Sequence, residues 1–134
     1  MLLPSEIEAK SLIPAVRAIL AKKLIKEYSL KEEDIAKVLG ITQAAVSNYV
    51  RGTRGDIELI SKLECVREVN RMIDDIARDL STNKAYTPST LAKFIGLCNY
   101  MRYTLIICDV HHSIESNIDE QICDQCRGTL VREH

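Results

Sequence analysis

Two short stretches of this 134-residue sequence carry side chains able, by their kind and register, to bind or react. The first is Gln43, Ala44, Ser47 and Asn48, which are left facing outward on a helix once Val46 and Tyr49 or Val50 are turned inward at helical spacing. All four are short polar or methyl-sized groups on the first turns of that helix. Such a face can enter a major groove and hydrogen-bond base edges, whereas a merely solvated face more often carries Glu and Lys.

The second stretch, residues 108–128, reads CDVHHSIESNIDEQICDQCRG. Cys123 and Cys126 have the spacing of a metal knuckle, in which two thiolates grip one ion while turn amides donate to the sulfurs. Alone, that spacing equally describes a redox pair. Cys108 lies three residues before His111 and four before His112, so on a helix either imidazole shares a face with that thiol. Cys108, His111 or His112, Cys123 and Cys126 make three thiolates and one imidazole, close to the spacing of a structural zinc site tying down a short tail. A rival set, Cys98, Cys108, Cys123 and Cys126, would suit an iron–sulfur cluster and redox or iron sensing. One continuous helix would hold Cys98 and Cys108 about 15 Å apart, so this set needs a break near Tyr103. The third possibility is unmetallated thiols.

The elements that position these groups can be read in the same way. Ile35, Ala36 and Leu39 form the inner face of a short helix, and Gly40 follows where a helix stop tolerates positive φ. Ile41 plugs the turn and Thr42 is a good N-cap. Upstream, Pro4 and Ser5 can open a helix that Pro14 should kink or restart near Ala15, leaving residues 15–28 to buttress the hairpin. Ser29 followed by KEED reads as a helix start. Downstream, residues 51–56 form a loop. From Ile57, the positions Ile60, Leu63, Val66, Val69, Ile73, Ile76 and Leu80 step down one helix of more than twenty residues. That stripe can serve as a mixture of core face and dimer seam, with Cys65 a small buried hydrophobe beside it. Residues 81–88 read as a turn, and a last long helix follows, in which Gly96 would let a neighbour approach closely.

The run IAKVLGITQAAVSNYVRG, with Ala36, Gly40, Ile41, Val46 and Tyr49 in register, resembles the lambda-repressor-like (XRE-type) helix-turn-helix family. The resemblance implies that the second helix, residues 42–51, reads double-stranded DNA. Gln43, Ala44, Ser47 and Asn48 would then face bases, and Thr42, Arg51 and Arg54 would lie near phosphates. Taken with the tail's C-x-x-H and C-x-x-C, the hairpin resembles predicted archaeal transcriptional regulators, which implies a regulator and adds no catalytic residue.

Composition agrees with an all-α fold. Hydrophobic residues make up 46 % with no Trp and one Phe, so the core must be mostly aliphatic. The expected architecture is an N-terminal helix-turn-helix bundle (residues 1–56), a long connecting and dimerisation helix (57–86), and a C-terminal helix with a small Cys/His metal-binding tail (87–134). The net charge of −1 hides an uneven distribution: Lys22 to Arg54 holds seven basic against four acidic residues, a modest positive balance suited to phosphate. No apolar run is long enough for a membrane span or a secretory signal, and five cysteines do not suggest a disulfide framework. A cytoplasmic protein is expected. No phosphate loop, nucleophile elbow or paired-carboxylate set appears, so no enzyme is expected; a thiol–disulfide enzyme would also lack its βαβ setting. The leading expectation is a homodimeric DNA-binding regulator. The alternatives are a protein-interaction adaptor with a structural zinc tail, or an iron–sulfur redox-sensing regulator.

Overall fold

The computed structural model describes residues 1–52 and 56–132, and every regular element among them is helical. The chain is organised around α2 (Ile13–Lys26), which buries Ala15, Val16, Ala18, Ile19, Leu20, Ala21 and Leu24. Those positions are not confined to one stripe, the pattern of a helix packed on several sides, and three of them are alanines that admit close neighbours. Four helices use this surface: α3 (Glu32–Leu39), α4 (Gln43–Arg51), α5 (Ile57–Glu64) and α6 (Arg67–Asn83). The outer face of α6 then receives α7 (Pro88–Tyr103), which packs in turn on α8 (Ile106–Ile114) and α9 (Glu120–Arg132). At the N-terminus, α1 (Pro4–Ile7) lies against α8.

Pro14 neither stops the first helix nor restarts it. A π-helical turn, Glu8–Leu12, joins α1 to α2, and Pro14 falls in the first turn after it. Proline has no amide hydrogen and its ring collides with the carbonyl four residues back; widening the preceding turn by one residue relieves both problems. Ser29 also departs from expectation. It is no N-cap but adopts φ +56°, and the next amide, Leu30, returns to the Leu24 carbonyl at 3.0 Å. The cap of α3 is instead the extended backbone of Lys31, without a side-chain bond, and Glu32, Glu33 and Asp34 supply negative charge to its first turn.

The helix expected from Ile57 onward is two helices. It breaks at Cys65 and Val66, where Val66 turns extended and its amide bonds Leu63 O at 3.1 Å. The apolar steps of three and four continue across the break, so the sequence period does not mark it. Breaking there lets α5 and α6 both press on α2, and it leaves Cys65 exposed rather than buried. Val69, Ile73, Ile76, Ala77 and Leu80 of α6 are buried within the chain. The stripe therefore belongs to the core and leaves no seam on that face.

The last long helix also divides, at Thr104 and Leu105. Leu105 takes φ +65° at the start of α8, which reverses the chain so that Ile107, Cys108 and Val110 turn inward. Gly96 is less demanding than expected, since an added Cβ would meet only Met72 Cε, at 4.0 Å. That is ordinary contact, so α7 does not need a glycine to reach α6 there.

One ion pair ties α6 to the centre. Lys23 Nζ lies 2.6 Å from Asp74 Oδ1 and 3.8 Å from Glu27 Oε1. Burial works against the Lys23 charge, but the Asp74 bond, with Glu27 and Glu64 nearby, outweighs it and raises the pKa above the ordinary lysine value of 10.5. A raised folded-state pKa stabilises at every pH below the unfolded value and is lost as pH climbs through the folded one. Melting curves of the wild type and Lys23→Met should accordingly differ by a constant amount at neutral pH and converge as pH rises above 10.5. A difference that persists unchanged well above that pH would mean that Lys23 does not stabilise the fold through its charge.

Candidate nucleic-acid interface and cysteine cluster

The turn between α3 and α4 is built by two local devices. Gly40 ends α3 at φ +66°, ψ 35°, a region costly for residues with a Cβ, and the Ile41 amide reaches back to the Ala36 carbonyl at 3.0 Å. Thr42 then caps α4, its Oγ1 accepting from the Ala45 amide at 3.0 Å. Ile41 packs against the core from the turn. α4 buries Ala45, Val46 and Tyr49 and packs on both α2 and α3, which fixes the direction of its other face.

That face carries the expected residues. Thr42, Gln43, Ala44 and Arg51 are exposed, while Ser47 and Asn48 are half-buried beside them. Arg51 folds back along the helix: its Nε donates to the Ser47 carbonyl at 3.4 Å, and Nη2 makes a close contact with the Ser47 hydroxyl. The two side chains therefore act as a unit, a coupling of i and i+4. Arg54 lies outside the described residues. The positive balance of the segment is weaker in space than in sequence, because Lys23 is turned to Asp74 and the first turn of α3 is acidic. Lys31, Lys37 and Arg51 are exposed.

A short helix capped by left-handed glycine, a three-residue turn and a second, Thr-capped helix exposing small polar groups define a helix-turn-helix. A family model described as helix-turn-helix matches residues 22–66, from within α2 to the N-cap of α6. Over those residues the chain is similar to a helix-turn-helix family, which supports a DNA-binding reading of the XRE type. No curated protein and no solved structure matches the chain. Among the described residues, no helix is long and apolar enough to cross a membrane.

The cysteine cluster lies elsewhere, between α8, α9 and the N-terminus. Cys108, His111, His112, Cys123 and Cys126 all line one cavity of about 170 Å³, which Met1 to Pro4 and Ile118 help to close. Cys123 and Cys126 do not sit in a knuckle turn; both are on the helix α9, at positions that share a face. The two histidines diverge. His111 Nε2 faces Glu115 Oε2 at 3.4 Å, and Glu115 in turn accepts from the Leu2 amide at 3.0 Å. That amide, followed by His111 and the N-terminal charge, holds the Glu115 pKa below the usual glutamate range. His112 Nε2 faces Cys123 Sγ at 3.3 Å.

Cys98 is not with them. It lines a different cavity with Glu8, Arg17 and Arg102, where burial and the Glu8 charge raise its pKa. The helix break after Tyr103 does occur, yet it carries Cys108 towards α9 rather than Cys98. Burial, and after it Cys126 and Cys123, also raise the pKa of Cys108; burial and Cys123 do the same for Cys126. Raised thiol pKa values oppose the thiolate that a redox enzyme uses. All five cysteines are unpaired thiols.

Sequence reasoning missed Arg127, which enters the cluster. Its guanidinium lies 3.5 Å from His112 Nε2 and near enough to Cys108 to oppose the rise in that thiol's pKa. The signal was its place four residues after Cys123, which sets the two side by side only once that stretch is read as a helix.

Proposed function

We propose that this chain is a sequence-specific, double-stranded-DNA-binding transcriptional regulator acting in the cytoplasm as a homodimer. The observation that carries the reading is the α3–α4 hairpin itself, with Gln43, Ala44, Ser47 and Asn48 on the side of α4 away from α2. In this reading α4 enters the major groove. Gln43 and Asn48 read base edges, Ala44 and Ser47 fit against them, and Thr42, Arg51 and Arg54 hold phosphates. The amides at the capped start of α4 add a positive end to the same surface.

Dimerism follows from what such a domain needs. One α4 covers few base pairs, and two copies held at a fixed separation read a palindrome. The α6 stripe is closed within one chain, so the seam uses other surface. Leu91 and Ile95, one turn apart on α7 and about half exposed, are available, with Tyr86 beside them. Selection from random duplexes tests the reading. A palindromic motif with half-site centres about 34 Å apart or a multiple of that, bound by two chains, is the expected product. Enrichment of no motif, or salt-insensitive capture of a protein without duplex binding, would show an interaction adaptor instead.

A further inference from the structure

We propose that Cys108, His112, Cys123 and Cys126 bind one zinc ion, with His111 and Cys98 outside the site. Such a site is independent of DNA binding by the hairpin. Three thiols and an imidazole suit a soft or borderline cation, while calcium or magnesium would require oxygen ligands.

Geometry selects the histidine. Tetrahedral zinc with bonds of about 2.3 Å to sulfur and 2.05 Å to nitrogen has an N···S edge of about 3.6 Å. His112 Nε2 and Cys123 Sγ are already 3.3 Å apart, close to one such edge. Cys126 lies on the same face of α9 as Cys123, and Cys108 reaches the same cavity from α8. His111 also lines the cavity, but its Nε2 faces Glu115, and it acts at one remove: through Glu115 it holds the Leu2 amide and with it the N-terminal wall of the cavity.

Among the described residues, no three His, Cys, Asp or Glu groups already stand in an arrangement that holds an ion. Arg127 stands at the site, its guanidinium 3.5 Å from His112 Nε2. Loading requires Arg127 to swing outward and the Cys108 and Cys126 side chains to rotate. Each of the three thiols loses its proton to solvent, three zinc–sulfur bonds form, and neutral Nε2 of His112 donates the fourth pair. The loaded site carries one net negative charge beside Arg127. It would staple α8 to the chain's first residues and to α9, which buries only Cys123 and Leu130 among its described residues.

The test is a cobalt(II) titration of the full chain, reduced and freed of metal without oxygen, followed by back-titration with zinc. Expected are one cobalt per chain, the visible absorption of a tetrahedral thiolate site, its loss on adding one zinc, and a higher melting temperature with zinc. His112→Ala and Cys126→Ser should weaken binding by more than about 100-fold, beyond the roughly 10- to 100-fold cost of losing a supporting group, while Cys98→Ser titrates as wild type and His111→Ala keeps the absorption. Circular dichroism before titration shows which variants are folded, and the wild-type titration stands without them. The proposal is overturned if the wild type gives no tetrahedral spectrum, if His111 rather than His112 is needed, if Cys98 is needed, or if protein purified without oxygen holds iron with a cluster's visible absorption.

Discussion

Leu20→Ala is expected to lower the unfolding free energy by about 2–5 kcal/mol, the range for truncating a fully buried leucine. Leu20 is 0 % exposed and lies midway along α2, the helix on which α3, α4, α5 and α6 converge. The loss has two parts. Apolar surface is no longer withdrawn from water, and a cavity remains that a helix held on several sides cannot collapse to fill. Against a total stability of about 5–15 kcal/mol for a domain of ordinary size, this is enough to unfold much of the population on modest heating. Leu20→Met keeps the volume and should cost less than about 1.5 kcal/mol. Urea melts followed by circular dichroism measure both. A loss below about 1 kcal/mol for the alanine variant would mean that the hairpin is not held by α2 as described.

The second large effect concerns DNA. Gln43→Ala should cost about 1–3 kcal/mol in binding the selected operator, or roughly 5- to 150-fold, and little on unrelated duplexes. Gln43 is exposed and no described hydrogen bond holds its side chain, so its removal perturbs the fold least. Asn48→Ala should show the same selectivity, although its half-buried setting adds a structural component. Arg51→Ala should behave differently, weakening all duplexes alike and reducing the salt slope by about 0.9, the value for one phosphate no longer neutralised. Because Arg51 is bonded to Ser47, Ser47→Ala should reproduce part of the Arg51 effect. Fluorescence anisotropy at several salt concentrations, on operator and scrambled duplexes, separates these classes. Equal losses on both duplexes for Gln43→Ala would remove it from base reading.

How far the sequence could be read depended on the range of the physics involved. Gly40 and Thr42 were legible because a left-handed stop and a hydroxyl cap act within a few residues, and both occur as expected. Ser29 was misread by the same kind of rule: a serine before acids suits an N-cap, but the chain needed a left-handed turn to leave α2. The breaks at Val66 and Leu105 left no mark in the apolar period, since a continuing stripe is equally compatible with one helix or two. The C-x-x-C of α9 suggested a turn, although three-residue spacing also places both thiols on one helical face.

Residue order alone was enough for the all-helical class, the hairpin with its cap and its outward residues, and the inventory of sulfur and nitrogen donors near the C-terminus. Each of these rests on interactions between residues one or two turns apart, where spacing sets geometry. Which donors meet was decided in three dimensions. The packed chain turns His111 to Glu115 and His112 to Cys123, keeps Cys98 with Glu8 and Arg102, brings Arg127 into the cluster, and buries the α6 stripe inside one chain. These outcomes depend on how helices distant in sequence share a limited apolar surface, and the local spacing of residues carries no information about that competition.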